Sequence, residues 1–286
     1  MISSTQYAAG PRNSAFPRLS RPIAFGAAAV AAAAVALTGC SKASTGAAAS
    51  SGALNQIKLA ADTSRDVNSL TANITVHSVG TTAGGLTGTI QMQLKPTTLI
   101  EARFDVPATT SPGIHLDEIL TGQAIYFKNP AFTKTKAGKP WVKAKISELS
   151  SKSGLSFGSL LQNLESSNPL DQTRLFTASR DVRVVGTRTV GGVTTTEYAG
   201  SYAPKTAYAG LSAHLREVLG PMLRSIGTHP VSFHVWVDAQ HLIKKADDTA
   251  SVRGQTVTTT FAVTSVNQPV KVTLPKAGET APLPKL

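Results

Sequence analysis

Apolar positions recur at two different spacings along this chain, and the switches between them mark its organisation. Leu54, Ile57 and Ala61, continuing to Val67 and Leu70, predict an initial amphipathic helix. Period two then takes over. Ile74 and Val76 share one face; Leu86, Gly88, Ile90, Met92 and Leu94 share another, with Thr87, Thr89, Gln91 and Gln93 opposite. Ile100, Ala102, Phe104 and Val106 alternate with Glu101, Arg103 and Asp105, and Gly84-Gly85 and Lys95-Pro96 punctuate these runs as hairpin connections do. Short strands follow over Ile114–Leu120, Ala124–Lys128 and Trp141–Lys145.

The period changes in the middle. Phe157, Leu160, Leu161 and Leu164 fall at i, i+3, i+4 and i+7, a helix stopped by Asn168-Pro169, and Leu175 and Phe176 suggest a second short one. Strands return over Val182–Val190 and Val193–Tyr202, joined by Gly191-Gly192 as a two-residue turn. Pro204 then opens one long helix whose stripe is Tyr208, Leu211, Leu215, Val218, Leu219, Met222 and Ile226, closed by Gly227 and Pro230. Strands over Val231–Val237, Leu242–Ala250, Val257–Val266 and Val270–Leu274 finish the domain.

Strands, helices, strands, helix, strands, without βαβ alternation, give an α+β fold with one large antiparallel sheet. About ten strands at roughly 4.8 Å spacing are too wide for three or four helices to cover unless the sheet curls into a half-barrel around them. Gly88, Ala102 and Thr259 on apolar faces add room inside. The predicted lining of an apolar chamber is Ile90, Met92, Phe104, Leu160, Leu164, Phe233 and Val235; the same pattern is also that of a packed core, the commoner role for any one of them.

The ends behave differently. Arg12, Arg18 and Arg21 precede the apolar, alanine-rich run Pro22–Ala36, with no acidic residue before Leu37-Thr38-Gly39-Cys40. A positive segment, an apolar segment and a small-residue approach to a cysteine form an export signal in order. The last part resembles the lipobox of bacterial lipoproteins. That likeness implies cleavage between Gly39 and Cys40, and a diacylglycerol on the Cys40 sulfur. Cys40 is the only cysteine, so no internal disulfide supports the fold. Removal of residues 1–39 takes away three of the 28 Lys+Arg and none of the 16 Asp+Glu, leaving a formal charge of +9. Residues 40–54 form the lipidated N-terminus and a small-residue tether with a reach of roughly 20 Å. Residues 55–275 form the domain, and 276–286, with Pro282 and Pro284, read as a disordered tail.

Over most of residues 55–275 the chain resembles the actinobacterial LppX/LprG lipoproteins. The likeness is carried by the closing run Val231-Ser232-Phe233-His234-Val235-Trp236-Val237-Asp238 with Leu242-Ile243, and by Gly192-Val193-Thr194-Thr195-Thr196-Glu197-Tyr198-Ala199-Gly200. Members share a fold with the periplasmic lipoprotein carriers of the Lol system. The resemblance implies a non-enzymatic carrier, anchored on the outer face of the cell membrane, that holds acyl chains between sheet and helices and moves lipid or glycolipid through the envelope. The alternative is a lipoprotein with a filled core that binds a protein partner or signals.

Charge and motifs refine this picture. Lys128, Lys134, Lys136, Lys139, Lys143, Lys145 and Lys152, with only Glu148 among them, form a basic stretch. Lys134, Lys136, Lys139, Lys143 and Lys145 are candidates for contact with anionic head groups, at about 1 kcal/mol each near the surface before screening. A solvated face guarding a sheet edge explains them as well. The lysines are not interleaved with stacking aromatics, and export argues against a nucleic-acid partner. Trp236 reads as an interface anchor or as a residue covered by a helix. His115, Asp117 and Glu118 lack the spacing of a metal site, and neither a Gly-x-Ser-x-Gly elbow nor a phosphate-binding loop occurs, so no catalytic residue, metal or cofactor is assigned.

Overall fold

The computed structural model describes residues 51–79, 85–107, 113–128, 138–145, 169–252 and 254–282. Its helical elements are α1 (Ser51–Thr63), α2 (Pro204–Gly210) and α3 (Ala213–Ile226), with 3-10 turns at Ser64–Asp66, Pro169–Ala178 and Ala277–Glu279. The strands are β1 (Ser69–Val79), β2 (Leu86–Gln93), β3 (Leu99–Val106), β4 (Ile114–Thr121), β5 (Ala124–Lys128) and β6 (Trp141–Lys145). They continue as β7 (Arg183–Val190), β8 (Val193–Tyr202), β9 (Val231–Asp238), β10 (Ile243–Val252), β11 (Gln255–Val266) and β12 (Thr280–Pro282). All twelve lie in one sheet, ordered β12-β6-β5-β4-β3-β2-β1-β11-β10-β9-β8-β7. The two end strands do not pair, so the sheet is an open half-barrel around a few helices, as the width argument anticipates. Every pairing is antiparallel except β12 with β6, which is parallel and makes the sheet mixed.

Where the pattern and the structure differ, a local cause is visible. The first helix stops at Thr63; Val67 is already extended, and Leu70 belongs to β1 rather than to the helix. Both edges of β1 are occupied, by β2 and β11, and its β-branched run through Thr71, Ile74, Thr75 and Val76 suits a central strand. The long helix predicted after Pro204 is two. Leu211 is extended (φ −77°, ψ 150°), and Ser212 caps α3 by accepting a hydrogen bond from the Leu215 N–H at 3.3 Å. The Gly191-Gly192 turn is as expected: both residues take the positive φ (55° and 80°) that a tight hairpin demands.

The C-terminal stretch departs most. Val270–Leu274 form no strand, and the region expected to be a disordered tail contains a 3-10 turn and β12. The segment leaving β11 is fastened at its start, where Asn267 Oδ1 accepts from Asn68 N–H (2.7 Å) and Ser69 Oγ donates to the Gln268 carbonyl (2.6 Å). It then runs along the outer side of the sheet, where Val272 packs with Ile119, Ala124, Tyr126, Leu99 and Trp141. Composition alone misses this because the segment's order comes from contacts with distant strands.

Two apolar clusters lie on the other side, the inner face. One joins α1, α2 and α3 to β8, β9 and β10 through Ile57, Leu215, Leu219, Leu223, Tyr202, Phe233 and Val235. The other spans β1 to β5 and β11 through Leu70, Met92, Ile100, Leu120, Ile125 and Val263.

Candidate functional site

Strand register assigns the inner face residue by residue. One transverse row runs Leu116–Phe104–Gly88–Ile74–Phe261–Ala246–Val235–Tyr198, from β4 across to β8. A second runs Phe127–Glu118–Ala102–Ile90–Ala72–Val263. Met92 lies opposite Ile100 and Leu70, and Phe233 opposite Asp248 and Gly200. The five described members of the predicted lining, Ile90, Met92, Phe104, Phe233 and Val235, therefore share one continuous face. Leu160 and Leu164 lie outside the described residues.

Sharing a face does not make these residues line one space. Phe233 stacks on Phe176 with ring centroids 4.4 Å apart, and Val235 is fully buried beneath the helices. Among the described residues Ile90 and Met92 belong to the other cluster, and Phe104, though buried, to neither. Gly88, expected to open room, admits a neighbouring ring instead, and Gly200 does the same. A Cβ on Gly88 would collide with the Phe104 ring and the Arg103 carbonyl, and one on Gly200 would sit 2.8 Å from the Phe233 ring. Packing of this kind fills the space that absent side chains leave.

A cavity of about 580 Å³ lies elsewhere, within the helical layer. Leu211, Leu215 and Ala207, which also belong to the core, give it an apolar side; Thr177, Thr206 and Ser212 add polar side chains, and Arg65 and Arg174 bring guanidinium groups, both paired with Asp62 (4.0 and 3.1 Å). Its volume is in the range of small-ligand sites. None of the five described lining candidates borders it. The sequence offers little warning of this cavity, because its walls come from the break between α2 and α3 and from two arginines more than a hundred residues apart in the chain.

The inner face also carries two acids that periodicity leaves unmarked. Asp248 alternates in step with Ala246 and Ala250 on β10, which places its carboxyl between Phe233 and Thr259. Burial, with a smaller contribution from the Asp247 charge, pushes its pKa up to about 8, so it is a neutral acid at pH 7. Burial, and then the Asp248 charge, drives the Tyr202 phenol well above its usual value. Glu118 faces inward between Ala102 and Phe127, and desolvation raises it too.

The outer face is ionic. His115 bridges Asp105 (Nδ1, 2.8 Å) and Asp117 (Nε2, 3.0 Å), and Lys128 reaches Asp117 at 3.0 Å. The Asp105 hydrogen bond leads the effects that raise the His115 pKa. His115 and Asp117 thus face outward while Glu118 faces inward, so the three do not converge. Trp236 is buried on the outer face, where Lys245 Nζ lies 4.3 Å from its ring centroid and the His234 ring stacks beside it at 6.0 Å. Of the basic candidates, Lys143 is exposed over the Tyr126 ring (5.3 Å) and Lys145 is exposed on the same face of β6. Lys139 Nζ donates to the Thr280 carbonyl at 3.0 Å and so helps hold β12. Lys134 and Lys136 lie outside the described residues, as do Gly39 and Cys40. Among the described residues no helix is long and apolar enough to cross a membrane.

No protein-family model matches the chain. It is 26% identical over 168 residues to an uncharacterized 31.2 kDa protein of Streptomyces griseus encoded in the rplA–rplJ intergenic region. The match covers 55% of each, so the chain spans about half the length of that relative. Among solved structures it is similar to LprF from Mycobacterium bovis, with a TM-score of 0.51 at 10% identity over 80% of this chain and 99% of that one. The Mycobacterium tuberculosis lipoprotein LppX aligns at a TM-score of 0.41 and 17% identity, over 78% and 98% of the two chains. The chain therefore has the LprF fold, the half-barrel that its resemblance to the LppX/LprG lipoproteins implies.

Proposed function

We propose that this chain is an envelope lipoprotein, anchored through Cys40 on the outer face of the cell membrane, that holds acyl chains and carries lipid or glycolipid through the envelope. The observation that carries this reading is the 580 Å³ cavity, apolar on the side of Leu211 and Leu215 and cationic at Arg65 and Arg174, in a domain with the LprF fold. An amphiphile with an anionic head group suits those walls. Carriage requires such shelter: each methylene exposed to water costs about 0.8 kcal/mol, so even one sixteen-carbon chain costs on the order of 13 kcal/mol. Lys143 and Lys145, exposed on β6, supply basic groups that would keep the tethered domain near anionic head groups. The chemistry asked of the domain is binding and release, with no bond made or broken.

The test is uptake of a fluorescent fatty acid by the full chain. Saturable binding near one equivalent supports carriage; no binding by folded protein refutes it. The second reading, a protein-binding module, draws on the Phe176–Phe233 stack, which fills the interior behind β9, and on edge strand β7, where Val184 and Val185 are exposed. Folded protein that refuses the probe yet retains a specific partner would favour it.

A further inference from the structure

The cavity in the helical layer gathers hydrogen-bonding side chains from four elements. Arg65 comes from the turn after α1, Arg174 and Thr177 from the 3-10 turn Pro169–Ala178, Thr206 from α2, and Ser212 from the cap of α3. Among the described residues that border it, none is acidic. Thr177 Oγ1 donates to the Arg174 carbonyl (2.7 Å), so its proton is already used. Ser212 Oγ accepts from the Leu215 N–H, which leaves its own proton to give. Arg174 is held in place: its Nη2 donates to the Ala61 carbonyl (3.3 Å) near the end of α1.

One carboxylate already answers both cations. Asp62 Oδ1 lies 3.1 Å from Arg174 Nη2 and 4.0 Å from Arg65 Nη1, on a side chain that is 63% exposed. A single negative charge is thus shared by two guanidinium groups, and a carboxylate so exposed is given up to water at little cost. An incoming carboxylate would only repeat what Asp62 supplies. A phosphate monoester brings about −1.5 to −2 charges at pH 7 and three acceptor oxygens, which match two guanidinium forks.

We propose that the cavity takes a phosphate monoester dianion at Arg65 and Arg174, with Asp62 as the resident group it displaces. The inference rests on the carrier reading, in which this cavity is the ligand's site, and narrows the head group from any anion to a phosphate monoester. Ser212 donates its hydroxyl proton to the same anion, and Leu211 and Leu215 face what the phosphate carries. A lipid head group and free phosphate share this chemistry, and the test separates them.

The experiment titrates the full chain, held in phosphatidylcholine vesicles, with octyl phosphate, octanoate and inorganic phosphate by calorimetry, against protein-free vesicles as the blank. Octyl phosphate is expected to bind near one equivalent and about tenfold more tightly than octanoate. Asp62→Asn, which removes the competing charge from an exposed side chain, is expected to tighten octyl phosphate about threefold, and Arg174→Gln to bring the two ligands level. Equal affinities in the wild type, a preference that survives Arg174→Gln, or an Asp62→Asn affinity that stays the same or falls each overturn the inference and leave carriage standing. Inorganic phosphate binding as tightly as octyl phosphate keeps the anion site and overturns carriage by this cavity. Binding of none of the three by folded protein overturns both.

Discussion

At the scale of single residues, Asp248 sets the clearest expectation. Its folded pKa of about 8 lies above the ordinary aspartate value of 3.8, so the folded state keeps a proton that the unfolded chain releases. Stability therefore falls as pH rises between about 4 and 8, by at most about 1.4 kcal/mol per pH unit, and levels off above. Asp248→Asn removes that slope. Thermal melts at pH 5 and pH 8 should show the variant gaining on the wild type as pH rises; parallel curves would mean the carboxyl is hydrated. Asp181 has the opposite sense. Burial raises its pKa, but hydrogen bonds from the Ser201 N–H (2.7 Å), the Ser179 hydroxyl (2.7 Å) and the Ser201 hydroxyl (2.9 Å) outweigh it and hold the carboxylate ionised. Neither behaviour can be read from residue type. Both follow from what the fold places around two chemically identical groups.

At the scale of elements, most strands are legible because one wet and one dry face enforce period two. β2 through β6 and β8 through β11 match the alternation to within a residue or two. Helix boundaries are less legible. The stripe from Tyr208 to Ile226 is continuous in sequence, yet Gly210 and Ser212 divide it, because a serine hydroxyl that caps α3 outweighs continuation of α2. Ser212→Ala should cost about 1 kcal/mol, measured by denaturant unfolding, and should loosen the α2–α3 break that walls the cavity. A change below a few tenths of a kcal/mol would assign the break to packing rather than to the cap. The candidate site is the least legible part. Register brings five predicted residues to one face, but whether a face is filled depends on the volumes opposite it: Phe104 lies over Gly88, and Phe233 over Gly200. Arg65 and Arg174 carry no periodic signal and meet only in three dimensions. The order in Thr280–Pro282 was hidden for the same reason, since its partner, β6, is more than a hundred residues away.

At the scale of the whole molecule, the half-barrel gives two chemically different surfaces. The inner face is largely apolar, and the outer face combines the apolar patch under Val272 with ion pairs such as Asp105–His115–Asp117–Lys128. Exposed pairs of this kind add little stability singly, so the fold rests on its apolar clusters, the two inner ones and the outer one under Val272, and on the strap that ends in β12. A tethered carrier needs such a division: greasy inside, wet outside, and moored nearby. The mooring is tested by Cys40→Ala, which should leave the signal segment uncleaved or release the protein from membranes. Unaltered mass and membrane fractionation would contradict lipidation at Cys40.

Carriage itself is tested most directly by what the protein holds when it leaves the cell. The full chain, purified from its native membrane and extracted with organic solvent, should yield non-covalent lipid near one mole per mole of protein by mass spectrometry. Folded protein that yields only its own covalent anchor would contradict the account.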